Sequence, residues 1–339
     1  MQVEITRSAD LLNEKGELSH PGWAKELLLR YDRSAIKKSK LRIKEWDYYC
    51  ILTANHGIAL TVADNGYMGI ASATLFDFSV PREITNSIFT FFPLGSFNMP
   101  SSSKDGDVHF ESKSRAFHFI RKPEKRILTL NYPDFAEKKD LTCSVTLTQP
   151  DSLQSMVIAT PFKEDRNAFY YNQKVNCMPA EGEIRFGDSV FHFHPSSSFG
   201  VLDWGRGVWT YSNTWYWGSA SGLLEDIPFG FNIGYGFGDT TKATENMLFY
   251  NEKANKLDRI EFHIPPDYLK PWTFTSSDHR FEMEFKPLLD RSANINLILL
   301  KSVQHQVFGY FSGKAVLDDG KEIILNNFLG FAEKVENKW

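Results

Sequence analysis

Cysteine is scarce in this chain: Cys50, Cys143 and Cys177 are the only three in 339 residues. They are odd in number and far apart, so neither a disulfide framework nor a CxxC metal knuckle is legible, and a reducing, cytoplasmic setting is expected. Charge of one sign is lacking too. With 38 basic and 42 acidic residues spread evenly and a net charge of −4, the chain as a whole offers no electrostatic footprint for nucleic acid or an anionic membrane. Nucleic acid is not an expected partner. No eighteen apolar residues run together, and Met1 to Asp10 carry acids but no apolar leader core. Neither a membrane span nor a signal peptide is expected.

Familiar catalytic signatures are missing as well. Gly218-Ser219-Ala220-Ser221-Gly222 has Ala220 where a G-x-S-x-G nucleophile elbow needs serine. Gly234-Tyr235-Gly236-Phe237-Gly238 begins like a dinucleotide fingerprint, but Asp239 stands in place of the third glycine and no βαβ pattern surrounds it. His192 and His194 alternate onto one strand face without a third ligand at a recognisable spacing, so no metal and no cofactor are expected.

What the chain has instead is alternation. From about Arg42 the apolar period is two, in short runs rich in aromatic and β-branched residues. Phe281, Met283 and Phe285 face one way while Arg280, Glu282, Glu284 and Lys286 face the other; Ile260, Phe262 and Ile264 alternate likewise. Asp64-Asn65-Gly66 and Asp318-Asp319-Gly320 are hairpin signals. Only Trp23, Leu27 and Tyr31, at i, i+4 and i+8 with Ala24 and Leu28 beside them, predict a helix. The breaks divide the chain into an arm and helix over 1–35, a first half over 36–198 and a second over 199–339. A polar loop, Asn98 to Asp107, is a candidate lid.

The second break opens a repeated spacing. Gly200, Asp203 and Trp209 are matched by Gly330, Glu333 and Trp339, so Gly-x-x-acid-x5-Trp occurs twice. The aromatic clusters upstream, Phe169-Tyr170-Tyr171 before Lys174 and Phe308 to Phe311 before Lys314, extend the parallel loosely. A duplicated antiparallel barrel or sandwich is the expectation.

Tryptophan concentrates in the segment from Asp203 to Trp217, which holds Trp204, Trp209, Trp215 and Trp217 together with Arg206 and Asn213. Aromatic faces mixed with an acid, a guanidinium and an amide are the ingredients of a pocket, which Tyr235 and Trp272 are expected to help line. The bland alternative is a packed barrel end in which Arg206 stacks on tryptophans and pairs with Asp203. Trp46 to Tyr49 form a second aromatic patch read as core, and Glu245-Asn246 and Asp290-Arg291 read as turn ions.

The residues Leu202 to Trp209, Trp215-Tyr216-Trp217 and the closing Gly330-Phe331-Ala332-Glu333 resemble a bacterial domain-of-unknown-function family, number 2804, over nearly the whole chain. In its two-half layout and tryptophan-rich strands the sequence is also distantly similar to lipocalin-like proteins of the carotenoid hydratase and tocopherol cyclase type. That second resemblance implies an all-β fold of two tandem lipocalin-like, calycin-like halves. It also implies an apolar, isoprenoid-like substrate near their junction and an acid that protonates an alkene. On that reading Asp203 or Glu333, desolvated beside tryptophans, is the proton donor. Three functions stay open: a carrier or sensor of a small hydrophobic molecule, a hydratase- or cyclase-type enzyme, and a carbohydrate-binding protein. A monomer or weak homodimer is expected.

Overall fold

The computed structural model describes residues 2–296 and 301–338. Trp339, the last residue of the repeated spacing, lies outside them. The helix expected at Trp23 to Tyr31 is not there: the segment is extended, and among the described residues the helical turns are the 3-10 pieces Arg33–Ala35 and Lys40–Arg42. The reason is tertiary. Trp23 donates its N–H to the Val3 carbonyl at 2.9 Å and accepts from the Ile5 N–H at 2.7 Å, which leaves its backbone nothing for an i to i−4 ladder. A spacing of four also satisfies a period of two, so the same residues suit a strand. No helix among the described residues is long and apolar enough to cross a membrane.

In the arm, β1 (Ala9–Asp10), β2 (Gly22–Ala24) and β3 (Leu29–Arg30) are short, and β1 pairs in parallel with β3. The chain then meanders through β4 (Ile43–Leu52), β5 (His56–Asp64), β6 (Met68–Asp77) and β7 (Arg82–Phe91). It continues through β8 (Val108–Ser112), β9 (Arg115–Lys122), β10 (Lys125–Ala136) and β11 (Lys139–Thr148). The last strands of this sheet are β12 (Met156–Pro161), the long β13 (Phe169–Phe186), β14 (Ser189–Phe193) and β15 (Phe199–Val208). The main path runs β7-β6-β5-β4-β15-β13-β11-β10-β9-β8, and β2 adds to the edge of β12.

The second sheet contains β16 (Ser212–Leu224), β17 (Ile227–Tyr235), β18 (Met247–Tyr250), β19 (Lys253–Lys256) and β20 (Ile260–His263). It is completed by β21 (Trp272–Ser276), β22 (Phe281–Asn296), β23 (Lys301–Val316) and β24 (Glu322–Lys338). Its order, β19-β18-β17-β16-β24-β23-β22-β21-β20, repeats the winding of the first: the last strand returns to pair with the first, and the open edges lie mid-sequence. Both sheets are antiparallel and curled, making two tandem lipocalin-like halves. The strand with Asp203, β15, belongs to the first sheet; the one with Glu333, β24, holds the corresponding place in the second.

Each sheet curls around its own core. Leu60, Phe117, Leu128, Tyr171 and Trp204 are buried in the first, and Phe231, Trp272, Phe285 and Phe311 in the second. Because side chains alternate, the other faces of β4, β13 and β15 are left to pack against β16, β23 and β24, where Phe76 meets Phe308 with ring centres 4.4 Å apart. A bulge in β13 between Val175 and Met178 puts Cys177 at φ 59°. It carries the buried Asn176 amide to Ser219 Oγ at 2.8 Å and the Phe231 carbonyl at 3.1 Å, tying the halves together.

Within the first sheet the Trp46 ring of β4 lies over its register partner Gly205, where a β-carbon would fall inside the ring. Gly205→Ala must therefore displace that ring or the strand, and a loss of about 1–3 kcal/mol is expected from overpacking. Urea unfolding followed by tryptophan fluorescence checks it; wild-type stability would mean that Trp46 yields freely.

Candidate functional site

The segment from Asp203 to Trp209 was read as one patch, but a strand divides it. Trp204, Arg206 and Val208 point into the first core, and Asp203 points into the seam between the halves. There it meets Lys174 of β13, its register partner, with Nζ 2.9 Å from the Asp203 carboxylate. Asn172 Nδ2 donates to the other carboxylate oxygen at 2.6 Å. The Lys174 ammonium also lies 3.7 Å from the Trp217 ring of the second half, a cation–π contact sealed from water. A buried ion pair costs desolvation unless its remaining hydrogen bonds are met; the amide and the indole face meet them here.

Glu333 enters the same seam from β24. Trp215 Nε1 donates to one of its oxygens and Gln306 Nε2 to the other, each at 3.0 Å, and Arg291 Nη1 donates to Gln306 Oε1 at 3.0 Å. Burial pushes the Glu333 carboxyl up from 4.5 to about 7, reinforced by the negative charge of Asp203 and opposed by the Trp215 hydrogen bond and by Lys174 and Arg291. A third acid, Glu245, follows β17: burial and Asp203 raise it to about 7 as well, against Lys174 and an Asn232 hydrogen bond. Asn232 in turn accepts from Trp217 Nε1 at 2.6 Å. Three carboxyl groups thus surround the Lys174 ammonium, and although Lys256 also acts on Glu245 and Arg291 on Glu333, burial leaves these two acids holding their protons more tightly.

The rings complete the seam. Tyr48 and Trp217 meet at 5.9 Å and Trp217 and Phe331 at 4.8 Å, both edge to face. Towards one end, Trp46 contacts Trp209 at 5.3 Å and Trp209 contacts Trp215 at 5.9 Å. Trp209 also lines an open pocket of about 580 Å³ together with Leu41, Arg42, Lys44, Tyr67 and Tyr211. Packed contacts, Trp209 on Trp215 and Trp215 on Glu333, connect the pocket wall to the acid. Burial, with Arg42 nearby, lowers Lys44 from 10.5 to about 7.

Of the residues picked from sequence, Asp203, Glu333, Trp209, Trp215 and Trp217 come together at the seam. Arg206 sits inside the first half, where it pairs with Asp47 at 3.1 Å instead of Asp203 and holds the Pro100 carbonyl at 2.7 Å. The Asn98 to Asp107 loop is thereby fastened to the first barrel, also through Ser103, whose carbonyl accepts from Arg126 at 2.8 Å. Trp204 packs beneath the Arg206 guanidinium, 4.4 Å away. Tyr235 stacks on Tyr216 and Trp272 lies fully buried, both in the second core. Asn213 closes the turn into β16 through Thr210. Lys174, Tyr48 and Glu245 were not singled out as site residues; the register of Lys174 and Tyr48 with Asp203 supplies the signal that composition did not. Among the described residues no group of three or more His, Cys, Asp or Glu side chains is placed to hold a metal.

The model of a family described as a domain of unknown function (DUF2804) matches residues 2–339, and the chain belongs to that family. Among curated proteins none matches. A crystal structure of a protein provisionally named AttH, from Nitrosomonas europaea, superposes with a TM-score of 0.55 at 12% identity, covering 91% of this chain and 96% of that one. Kievitone hydratase from Nectria haematococca gives 0.46 at 12% identity, over 91% and 92% of the two chains. At such identity the first likeness is one of fold.

The two raised carboxyls make stability depend on pH. Folding favours their protonated forms, so this contribution is complete below the ordinary value of 4.5 and is lost as pH rises through about 7. Lys44 and Lys256, lowered from 10.5 to about 7, act oppositely and add stability as pH climbs above 7. In Glu333→Gln the decline between about pH 5 and about pH 7 is expected to flatten. Urea midpoints across that range check it; an unaltered slope would place the Glu333 titration at its ordinary value.

Proposed function

We propose that this DUF2804 protein binds a small apolar, isoprenoid-like molecule against the seam tryptophans and hydrates one of its carbon–carbon double bonds, with Glu333 as the proton donor. One observation carries the reading: a carboxyl raised to about 7, held by Trp215 and Gln306, stands among aromatic rings, and its Trp215 partner is in ring contact with Trp209 in the wall of an open pocket. A general acid works best when its pKa lies near the ambient pH, and ring faces stabilise the cation that protonation creates.

In the proposed step the alkene π electrons form a C–H bond to the Glu333 proton, leaving a carbocation on the more substituted carbon and a carboxylate on Glu333. Water adds to the cation and its surplus proton returns to Glu333, so alkene and water give an alcohol. The Lys174–Asp203 pair sets the potential at the seam. Asp203 keeps Glu333 protonated, and Lys174 limits the cost of the carboxylate formed during the step. For the reacting carbon to reach Glu333, the Trp215 ring must move aside, since it lies between the acid and Trp209.

Native mass spectrometry of protein from its own host, with Trp215→Ala alongside, tests binding: a co-purifying apolar molecule is expected in the wild type and reduced in the variant. Incubation of that molecule, or of geranylgeraniol, in D2O tests chemistry. Wild-type protein should introduce carbon-bound deuterium, and Glu333→Gln should slow this by about a hundredfold or more. Binding with no exchange in either protein would leave a carrier; equal exchange in both would remove Glu333 from the step.

A further inference from the structure

At the pocket mouth the first half carries an apolar surface that its own fold leaves uncovered. Phe91 and Phe92 are 78% and 63% exposed, with Phe89, Leu94 and Leu41 also exposed. Three segments bring them together. The Phe92 N–H donates to the Tyr67 carbonyl at 2.9 Å and the Leu94 N–H to the Gly66 carbonyl at 3.2 Å, while Gly66 packs so tightly on the Leu41 backbone that a β-carbon would collide with it. Phe92 and Leu94 both have positive φ, 52° and 54°, a conformation uncommon for bulky residues; the backbone bonds to Tyr67 and Gly66 hold it. Leu41 and Tyr67 are at once part of this surface and walls of the pocket.

The charge beside it runs against that of the whole chain. The protein is net negative at −4, yet Lys37, Lys38, Lys40 and Arg42 crowd into the segment that ends at the pocket. Asp165 takes Lys38 at 2.9 Å and Arg42 at 3.4 Å; Lys37 turns away to a pocket it shares with Asp10, Glu14 and Asp32, while Lys40, whose carbonyl lies against Gly66, is exposed beside the tip. Exposed aromatic side chains with the Lys40 ammonium beside them match the interface of a bilayer, where rings enter the headgroup layer and a lysine meets lipid phosphate.

We propose that the Phe91-Phe92 tip, with Phe89, Leu94 and Leu41, seats the protein on an anionic phospholipid bilayer and sets the pocket mouth against the lipid. An apolar ligand then passes from membrane to pocket without crossing water. The inference rests on the apolar-ligand reading above for its purpose, but the docking itself is measured separately.

The test is co-sedimentation of the full chain with extruded vesicles of phosphatidylcholine alone or mixed with phosphatidylglycerol, at low and high salt. Wild-type protein should bind the mixed vesicles and be partly released by salt. Phe91→Ser with Phe92→Ser should bind at least about tenfold more weakly, and Lys40→Glu should weaken the preference for phosphatidylglycerol. Geranylgeraniol delivered from cyclodextrin should quench tryptophan fluorescence equally in all three proteins. A failure of that quenching alone would strike the ligand reading and leave docking standing. Absence of wild-type binding, or equal binding by the Phe variant, overturns the proposal. So does a wild-type dimer in sedimentation velocity that the Phe variant loses, which would make a second copy of the chain the occupant.

Discussion

The Lys174–Asp203 pair is the constraint on which the junction turns. Two unit charges 2.9 Å apart, each almost without solvent, are tolerable only while every other polar neighbour is in place. Asn172 and Asp203 come from one sheet and Trp217 from the other, so the ion pair is fully coordinated only when the halves are docked. Removing one member of such a pair typically costs about 3–5 kcal/mol, because the other charge stays buried. The pair therefore fixes which faces meet. The Asn176 tether belongs to the same fit.

That arrangement also explains why two glutamates are held far from their ordinary behaviour. Here Glu245 and Glu333 approach the same ammonium, with Lys256 acting on Glu245 and Arg291 reaching Glu333 through Gln306, yet burial outweighs these cations at both acids. Both carboxyls respond by retaining protons near neutral pH. The first half buries charge too, with Arg206 against Asp47, but at the seam two carboxyls raised to about 7 stand beside one another's charged neighbours, and that sets the seam apart more firmly than its aromatic content does.

The strand grammar was legible because it depends on neighbours in sequence. Phe281, Met283 and Phe285 alternate into the second core as their spacing predicts, and Asp64-Asn65-Gly66 and Asp318-Asp319-Gly320 sit between paired strands. The Trp23 to Tyr31 helix failed because the edge of β12 offered Trp23 a partner, Ile158, that no local pattern reveals. At the site, Asp203 and Glu333 were visible through their repeated spacing. Their partners were not, for a different reason: Lys174 lies 29 positions before Asp203 and Gln306 lies 27 before Glu333, separations set by strand register. Arg206 was assigned to Asp203 by proximity in sequence. In a strand, residues three apart face opposite ways, and parity sends it to Asp47.

Parity has a further consequence for how a ligand would meet the acid. Trp209 and Trp215 flank the turn joining the two sheets, so one ring faces the pocket and the next covers Glu333, although the chain between them is only five residues. A rotation of Trp215 would exchange its hydrogen bond to Glu333 for contact with the incoming molecule. Losing that bond removes an interaction that favours the carboxylate, so displacement of the ring moves Glu333 further toward its protonated form. On the proposed reading, entry of an apolar molecule and arming of the acid are then one event, governed by a single indole at the boundary between the halves.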